Sequence, residues 1–290
     1  MHKASEFEAR CALNRCGFRA EKLRLYDYLM HLLTRQVRFG INDVVDSDGD
    51  GPPTNSYAGY PTLNGFGRYL SLDVTLRGDP CPASNYVINI KDIDEAVRKR
   101  AIPLVANAIR TGGGATPARV VRDVFNLLRQ WPSLTLEQVR LHLSPFLSFT
   151  ATSAEQSMIE LSQKFEFSAT HRLHNPACSD EQNRQTFGKC NNPHGHGHNY
   201  ELQVTLTGAP DANGVLIDIP AFERMVAQTV IDKFDHKNLN IELPEFKERI
   251  PTVENIALVI YRLLKPKFAA TKLKSVTVWE TPKTWCEYSE

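Results

Sequence analysis

The sequence lacks any run of about 18 consecutive apolar residues, and this absence excludes a transmembrane helix. An excess of charge of one sign is also missing, because 34 lysines and arginines stand against 33 aspartates and glutamates. This balance argues against nucleic acid or an anionic membrane as a partner. The six cysteines are irregularly spaced without a Cys-x-x-Cys motif, so they form no disulfide framework and favour a reducing cytoplasm. The N-terminal residues carry acids and no apolar stretch, so we expect no secretory signal.

What the sequence does contain is an internal repeat. Residues 64–80 and 194–210 align without a gap, and eight of their 17 positions are identical. The correspondence continues through shorter motifs that end at Pro145 and Pro282. We therefore expect a tandem duplication preceded by an extension whose apolar residues have helical spacing. The expected parts are a helical extension at 1–34, a first repeat at 35–150 and a second repeat at 158–290.

The second repeat has the clearer secondary-structure pattern. Apolar and polar residues alternate over 165–171 and again over 196–206, which predicts two strands. Helical spacing begins at Pro220 and again at Thr252, a residue type typical of an N-cap. A third strand ends at Glu280, and a short fourth strand follows. The order strand, strand, helix, helix, strand, strand predicts an α+β unit, an antiparallel four-stranded sheet with two helices on one face.

Three histidines occupy the ends of the first two strands of this repeat. His171 ends the first strand, while His196 and His198 begin the second strand on one face. If these strands pair as a hairpin, the three imidazoles converge. Three histidines with an open fourth position are typical of a catalytic zinc site. The alternative is that they line a sheet edge and bind no metal.

Several other residues of the second repeat have chemistry that a site could use. Cys190 lies in the loop before the histidines and is either an activated thiolate or a neutral loop thiol. Asp235 and His236 form an acid/base pair or a solvated helix C-terminus. Glu254 lies in the first turn of a helix, where the helix dipole alone explains it. Glu280 ends an apolar strand, where an acid is typical of a ligand contact.

Five motifs of the second repeat carry a resemblance to a known family. The stretch Phe-Gly-Lys-Cys-Asn-Asn-Pro-His-Gly-His-Gly-His-Asn-Tyr at 187–200 resembles the signature of 6-pyruvoyl-tetrahydropterin synthase. The remaining site motifs of that family resemble residues 167–173, 235–239, 251–255 and 279–281. The resemblance spans the second repeat, and the first repeat resembles the family only as a fold. It implies tandem tunnelling-fold (T-fold) repeats.

The resemblance implies a role for each candidate residue. The implied zinc ligands are His171, His196 and His198. Cys190 is implied as the general base, and Asp235 with His236 as the proton-relay pair that assists it.

The resemblance also implies how a pterin binds and which reaction follows. Glu280 anchors the pterin ring, and Thr252 and Glu254 border the pocket. The implied substrate is 7,8-dihydroneopterin triphosphate, which a zinc-dependent lyase of tetrahydrobiopterin synthesis converts to 6-pyruvoyl-tetrahydropterin with loss of triphosphate.

Two alternatives stay open at this point. The spacing of His194-Gly-His196 from Cys190 matches 6-carboxytetrahydropterin synthase of queuosine synthesis, whereas His196-Gly-His198 matches the pyruvoyl enzyme. The family has an eight-residue strand between the last ligand and Thr-Gly, and 199–206 has this length, which favours His198 as the last ligand. The second alternative is a non-catalytic module that binds zinc and a pterin.

The first repeat lacks the residues for this chemistry. Its positions equivalent to the zinc ligands hold Asp43, Phe66 and Arg68, and Leu143 and Ala118 replace Glu280 and Glu254. We therefore expect a structural or interface role for it. Because single-repeat relatives form stacked trimeric rings, the resemblance implies a homo-oligomer, a trimer of tandem chains with one catalytic and one inert ring.

Two further motifs of the first repeat point weakly to function. Residues 46–51 resemble half of a calcium loop, but Tyr57 replaces the glutamate expected at its twelfth position. A solvated turn is the alternative. The glycines at 112–114 are expected to form a linker, because they lack the lysine of a phosphate-binding loop.

Overall fold

The structure is a computed structural model, and it describes residues 31–42, 60–111, 115–268 and 271–290. Several predictions lie outside the described residues. They concern the helical extension over 1–30, Asp43, the calcium-like loop at 46–51 and the glycines at 112–114. No helix within the described residues is both long and apolar enough to cross a membrane.

Within the described residues, the first repeat has four strands and three α-helices. In chain order its elements are β1 (His31–Ile41), β2 (Arg68–Gly78), α1 (Ile90–Ala96), a π-helical turn (Val97–Ala101), α2 (Ile102–Thr111), α3 (Pro117–Leu128), β3 (Thr135–His142) and β4 (Leu147–Thr152).

The second repeat repeats this order with short additions. Its elements are β5 (Ile159–His171), α4 (Asp180–Phe187), a 3-10 turn (Gly188–Asn191), β6 (His196–Gly208), α5 (Ile219–Val226), a π-helical turn (Ala227–Ile231), α6 (Asp232–Phe234), β7 (Lys237–Asn238), α7 (Leu239–Glu242), a 3-10 turn (Pro244–Phe246), α8 (Val253–Leu264), a 3-10 turn (Lys265–Lys267), β8 (Lys272–Thr281) and β9 (Thr284–Tyr288).

The predicted fold class, α+β with two tandem T-fold repeats, is confirmed. Each repeat contributes four antiparallel strands, with its helices packed on one face. The strand order is β1-β2-β3-β4-β5-β6-β8-β9, and β7 pairs in parallel with β5.

The pairing of β4 with β5 joins the two repeats into one continuous sheet. The prediction of one catalytic and one inert ring concerns an assembly of several chains and stays a prediction. The sequence pattern could not reveal the join between the repeats, because it identifies each repeat but not the pairing across their boundary.

The duplication recurs in irregular features as well as in the regular elements. The register of the sheet shifts after Thr75 in the first repeat and after Thr205 in the second. A π-helical turn directly follows α1 in the first repeat and α5 in the second, at Val97–Ala101 and at Ala227–Ile231. Because β-bulges and π-turns depend on local packing, their recurrence at a separation of 130 residues supports a common origin of the repeats.

The N-terminal boundary of the first repeat needs a correction. Residues 31–34 were expected in the helical extension, but β1 begins at His31, which pairs with Gly78 of β2. The long β2 supplies backbone partners for these residues, and this pairing prevails over their helical spacing. Leu32 projects into solvent from the strand and is 66% exposed.

Burial of one face of the sheet sets the register of the strands that carry the histidines. In β6 the side chains of Tyr200, Leu202, Val204 and Leu206 are at most 1% exposed and share the face of the two histidines. Each such side chain contributes about 1.5–3 kcal/mol when buried. A shift of one residue would turn this set toward solvent, so the core holds the strand in register and thereby the histidines.

Candidate metal centre and catalytic residues

The three histidines converge because of the register between β5 and β6. His171 lies directly opposite His196, and Ala169 lies opposite His198. Residues at alternate positions of paired strands share one face of the sheet, so the three imidazoles meet on the face that carries the core. Glu280 near the end of β8 joins them on this face, since Trp279 pairs with Glu201 of β6.

The imidazoles are close enough to bind one metal ion. One nitrogen from each of the three histidines lies within 4.8 Å of the others. Nε2 of His171 and Nε2 of His196 are 3.1 Å apart. Nδ1 of His196 and Nε2 of His198 are buried without a hydrogen-bond partner. Because unpaired buried nitrogens are costly and a cation would satisfy such a lone pair, this donor set fits a metal ion.

Hydrogen bonding and burial leave His171 in a form that could bind a metal ion. Its Nδ1 donates to the carbonyl oxygen of Pro251 at 2.7 Å, which leaves the Nε2 lone pair directed at the other histidines. Burial lowers the pKa of His171 to about 4, with further lowering from His196 and His198. Burial also lowers the pKa of His196. The neutral imidazole, which is the form that binds metals, is therefore favoured at both positions.

Glu280 lies at the centre itself. Its Oε1 is 3.3 Å from Nε2 of His171 and 3.6 Å from Nε2 of His198, and its side chain is 19% exposed. From this position the carboxylate can reach either a metal ion or a ligand bound beside one.

His194 does not belong to this cluster. It is exposed and lines a neighbouring cleft, whereas His198 faces His171 and His196. The geometry therefore favours His196-Gly-His198 over His194-Gly-His196 as the pair that joins His171.

Cys190 lies in the 3-10 turn Gly188–Asn191 and is half-buried. The segment that follows His171 holds this turn in place. The backbone N–H of Leu173 donates to the carbonyl of Cys190 at 2.9 Å, and Nε of Arg172 donates to the carbonyl and side-chain oxygens of Asn191. These hydrogen bonds therefore hold the turn that carries the thiol against the segment that follows β5 and His171.

Tyr200 lies next to the histidine centre, and its pKa responds to the charge of Cys190. Its hydroxyl lies 3.5 Å from Nδ1 of His171 at the base of the cluster. The pKa of Tyr200 is raised, mainly by burial and further by the charges of Glu280 and Cys190. Glu280 and Cys190 therefore both influence a side chain on the histidine face of the sheet.

The loop that carries Cys190 contains a helix that the sequence reading missed. Helix α4 begins with a capping box, in which Ser179 and Gln182 exchange side-chain and backbone hydrogen bonds. Asn183 is fully buried and donates to the carbonyls of Asn175, Cys178 and Ser179. The Ser-x-x-Gln pattern is the signal that could have revealed this helix.

Asp235 and His236 form the predicted pair, but not beside the histidines. Nδ1 of His236 is 2.7 Å from Oδ2 of Asp235. The backbone of Ser168 in β5 donates to Asp235 and accepts from the N–H of His236. The Ser168 N–H, and then His236, lower the pKa of Asp235. His236 also has a left-handed φ of 57°, a conformation that costs a non-glycine residue energy and that its contacts maintain.

The surroundings of His236 place it toward the other face of the sheet. Its side chain is 82% exposed and borders a cavity of about 380 Å³ together with Ser168, Thr170 and Asn199. These strand positions alternate with those of the clustered histidines, so their side chains project from the opposite face. Within the described residues of one chain, no hydrogen bond joins His236 to Cys190.

Thr252 and Glu254 have capping and surface positions at the start of α8. The hydroxyl of Thr252 accepts from the N–H of Asn255, as expected for an N-cap. Glu254 is exposed, and its charge contributes, after burial, to the raised pKa of Cys286. The neighbouring Pro251 carbonyl accepts from His171, so the helix start lies next to the centre.

At the equivalent place in the first repeat there is an apolar cavity. It measures about 390 Å³ and is lined by residues such as Leu70, Val105, Leu141 and Leu143, with Arg68 among them. Phe66, at the position equivalent to His196, is 94% exposed. The repeat keeps the shape of the fold, but Phe66, Arg68 and Leu143 stand at the positions of His196, His198 and Glu280.

The fold and the site together define the class of protein: a tandem T-fold protein with a three-histidine centre in its second repeat. Comparison with known families agrees. The family model described as 6-pyruvoyl tetrahydropterin synthase matches residues 160–290. The human 6-pyruvoyl tetrahydrobiopterin synthase is 37% identical over 133 residues, which cover 46% of this chain and 92% of that protein.

The chain belongs to the 6-pyruvoyl tetrahydropterin synthase family. A 6-carboxy-5,6,7,8-tetrahydropterin synthase from Haemophilus influenzae is 29% identical over 154 residues, which cover 46% of this chain and all of that protein. The solved structure of Caenorhabditis elegans 6-pyruvoyl tetrahydropterin synthase is 36% identical with a TM-score of 0.44, covering 46% of this chain and 96% of that one.

Proposed function

We propose that the second repeat is a zinc-dependent lyase that converts 7,8-dihydroneopterin triphosphate to 6-pyruvoyl-tetrahydropterin with loss of triphosphate. The observation that carries the proposal is the convergence of three histidines and Glu280 on one face, next to the turn that holds Cys190. The human relative that bears the name of this synthase supports it. The test is incubation of the zinc-loaded protein with the triphosphate substrate, with release of inorganic triphosphate as the readout.

The residues that would hold the zinc ion are His171, His196 and His198. Zinc would supply Lewis acidity to the hydroxyl groups of the substrate side chain. The orphaned nitrogen of His198 and the hydrogen bond from His171 to Pro251 support this assignment, because both leave a lone pair for a cation.

The chain's own groups would orient the substrate and move its protons. Cys190 would remove a proton from the substrate side chain as the general base. Glu280 would accept paired hydrogen bonds from the guanidine-like nitrogens of the pterin, and Thr252 and Glu254 would border that pocket. We place this activity in the cytoplasm, which the free thiols of the described cysteines favour.

Replacing Glu280 with glutamine tests whether it anchors the pterin or binds the metal. Glutamine keeps the shape but loses the charge that strengthens paired hydrogen bonds, so the KM should rise by roughly 10- to 100-fold. Zinc content should stay at the wild-type level, measured by atomic absorption. A loss of zinc in Glu280→Gln would instead make Glu280 a metal ligand and would contradict the anchoring role.

The assembly that we propose is a homo-oligomer of three tandem chains. Strands β1 and β9 are the two ends of the described sheet, and each has a partner on one side only. Such exposed edges are paired or covered in stable proteins, and a second copy of the chain supplies a matching edge.

The position of the Asp235–His236 pair suggests that it serves a site completed by another copy of the chain. If so, Cys190→Ala and His236→Ala variants, each inactive alone, should recover activity when they are co-expressed, because mixed assemblies contain some intact sites. The rate of the mixture is compared with that of each variant, and a Cys190→Ala/His236→Ala double variant mixed with itself is the control. A mixture as inactive as its components would place the relay and the thiol in one chain.

A further inference from the structure

The apolar cavity of the first repeat lies between the helices and the end of the sheet. Its volume of about 390 Å³ is within the range of sites that hold small molecules. The walls come from the beginning of β2, the end of β3, helix α2 and the start of α3. Strands β2 and β3 are the counterparts of β6 and β8, which carry His198 and Glu280 in the second repeat. The cavity therefore has the position of the metal centre without its ligating groups.

Two replacements explain why this position is apolar in the first repeat. Leu70 stands where the second repeat has Tyr200, whose hydroxyl lies at the base of the histidine cluster. Leu143 stands where the second repeat has Glu280. Both replacements exchange a group that bears oxygen for hydrocarbon. A polar ring such as a pterin would leave its hydrogen-bonding groups unpaired against these walls, which is costly.

The packing of the core fixes the walls of the cavity. The side chains of Leu70, Val105, Val120 and Leu141 are each at most 6% exposed. Their positions are therefore set by the rest of the fold. Apolar cavities of about 150 Å³ already bind molecules of the size of benzene. The larger volume here has room for an extended hydrocarbon body.

Arg68 gives this apolar lining a cationic end. Among the described residues that line the cavity, it is the one that carries a charge. Its guanidinium is exposed and has no hydrogen-bond or ion-pair partner in the described part of the chain. The stem of an arginine packs along apolar surface while its head stays in water. A guanidinium in this position can bind a carboxylate through two parallel hydrogen bonds.

We propose that the first repeat binds a monocarboxylate with an apolar body, whose hydrocarbon occupies the cavity and whose carboxylate pairs with Arg68. The apolar walls select the hydrocarbon, and the single cation selects one negative group. The site lies in the repeat that lacks the metal ligands. The proposal is therefore independent of the activity proposed for the second repeat.

Titration calorimetry of the full-length zinc-loaded chain with decanoate tests the proposal. The wild type should bind one decanoate per chain. Arg68→Ala should raise the Kd for decanoate by about tenfold, because a charge-assisted hydrogen bond is lost. The Kd for 1-decanol, which has the same hydrocarbon chain without the charge, should be equal in the wild type and in Arg68→Ala.

Filling the cavity should weaken both ligands. Ala108 of α2 lines it, and Ala108→Phe places a ring in the space for the hydrocarbon. The Kd values for decanoate and 1-decanol should each rise by about tenfold or more, because apolar contact with the walls is lost. Ala108→Leu is a smaller change that should act in the same direction, and it keeps the test valid if Ala108→Phe does not fold.

The controls address charge and position. Arg129→Ala removes an exposed cation at the other end of α3 and should leave both Kd values unchanged. Arg68→Lys keeps the charge and should retain most of the affinity for decanoate.

Three results would overturn the proposal. The first is a wild type that binds no decanoate, which is also the result expected if side chains of another copy occupy the cavity. The second is binding that a folded Ala108 variant does not weaken, because the ligand would then lie elsewhere. The third is an Arg68→Ala variant that binds decanoate as tightly as the wild type, or that loses affinity for 1-decanol to the same extent.

Discussion

Cys190→Ala is expected to reduce turnover of dihydroneopterin triphosphate by roughly 10²- to 10⁴-fold, the contribution typical of a positioned general base. The thiol lies in a turn that the Arg172–Asn191 hydrogen bonds tie to the strand of His171. Alanine removes the proton acceptor without disturbing those backbone and side-chain contacts. Zinc content and the thermal midpoint should therefore equal those of the wild type while kcat falls.

Cys178→Ala is the matched control for this prediction. Cys178 is an exposed free thiol that lies before the same loop helix α4, so its loss should not change turnover. Activity retained in Cys190→Ala would remove Cys190 from the mechanism and leave the base unidentified. A Cys190→Ala protein that lost zinc would point to a ligating thiol instead.

His198→Ala should lose both the metal and the activity. Its Nε2 is buried without a hydrogen-bond partner among the described residues, and a bound cation would explain this burial. Removing a direct ligand should weaken zinc binding by more than about 100-fold, beyond the effect of removing an outer partner of a ligand. Zinc content after dialysis and the dissociation constant from a competing chelator are the measurements.

The duplication supplies the control for this variant. Arg68 occupies the position in β2 that corresponds to His198 in β6, and Arg68→Ala should leave zinc content and turnover unchanged. If His198→Ala retained the wild-type zinc affinity, the three-histidine centre would not be the metal site. If Arg68→Ala lost zinc, the first repeat would not be inert.

Much of the site followed from the alternation of residues in strands. The two-residue period placed His196 and His198 on one face, and pairing with β5 brought His171 opposite them. The start of α8 was also predictable, since Thr252 caps this helix as its residue type suggests. These features depend on neighbours in sequence and on one hairpin pairing, which a single sequence encodes strongly.

Features that depend on distant pairing were not predictable. The join of β4 to β5 makes one sheet of two repeats, and no local pattern signals it. The pairing of β7 with β5 sets the position of His236, which turns toward the opposite face in a left-handed conformation. The close approach of Glu280 to the histidines also depends on tertiary register, because it follows from the pairing of β8 with β6.

We propose above that the second repeat releases triphosphate from its substrate and leaves a three-carbon side chain on the pterin ring. Mass spectrometry of the pterin formed from dihydroneopterin triphosphate by the zinc-loaded full-length chain tests this activity most directly. We expect the mass of 6-pyruvoyl-tetrahydropterin, and we expect it to be absent when Cys190→Ala replaces the wild type. The mass of 6-carboxytetrahydropterin would contradict the product assignment, and unchanged substrate would contradict the assignment of the chain as an enzyme.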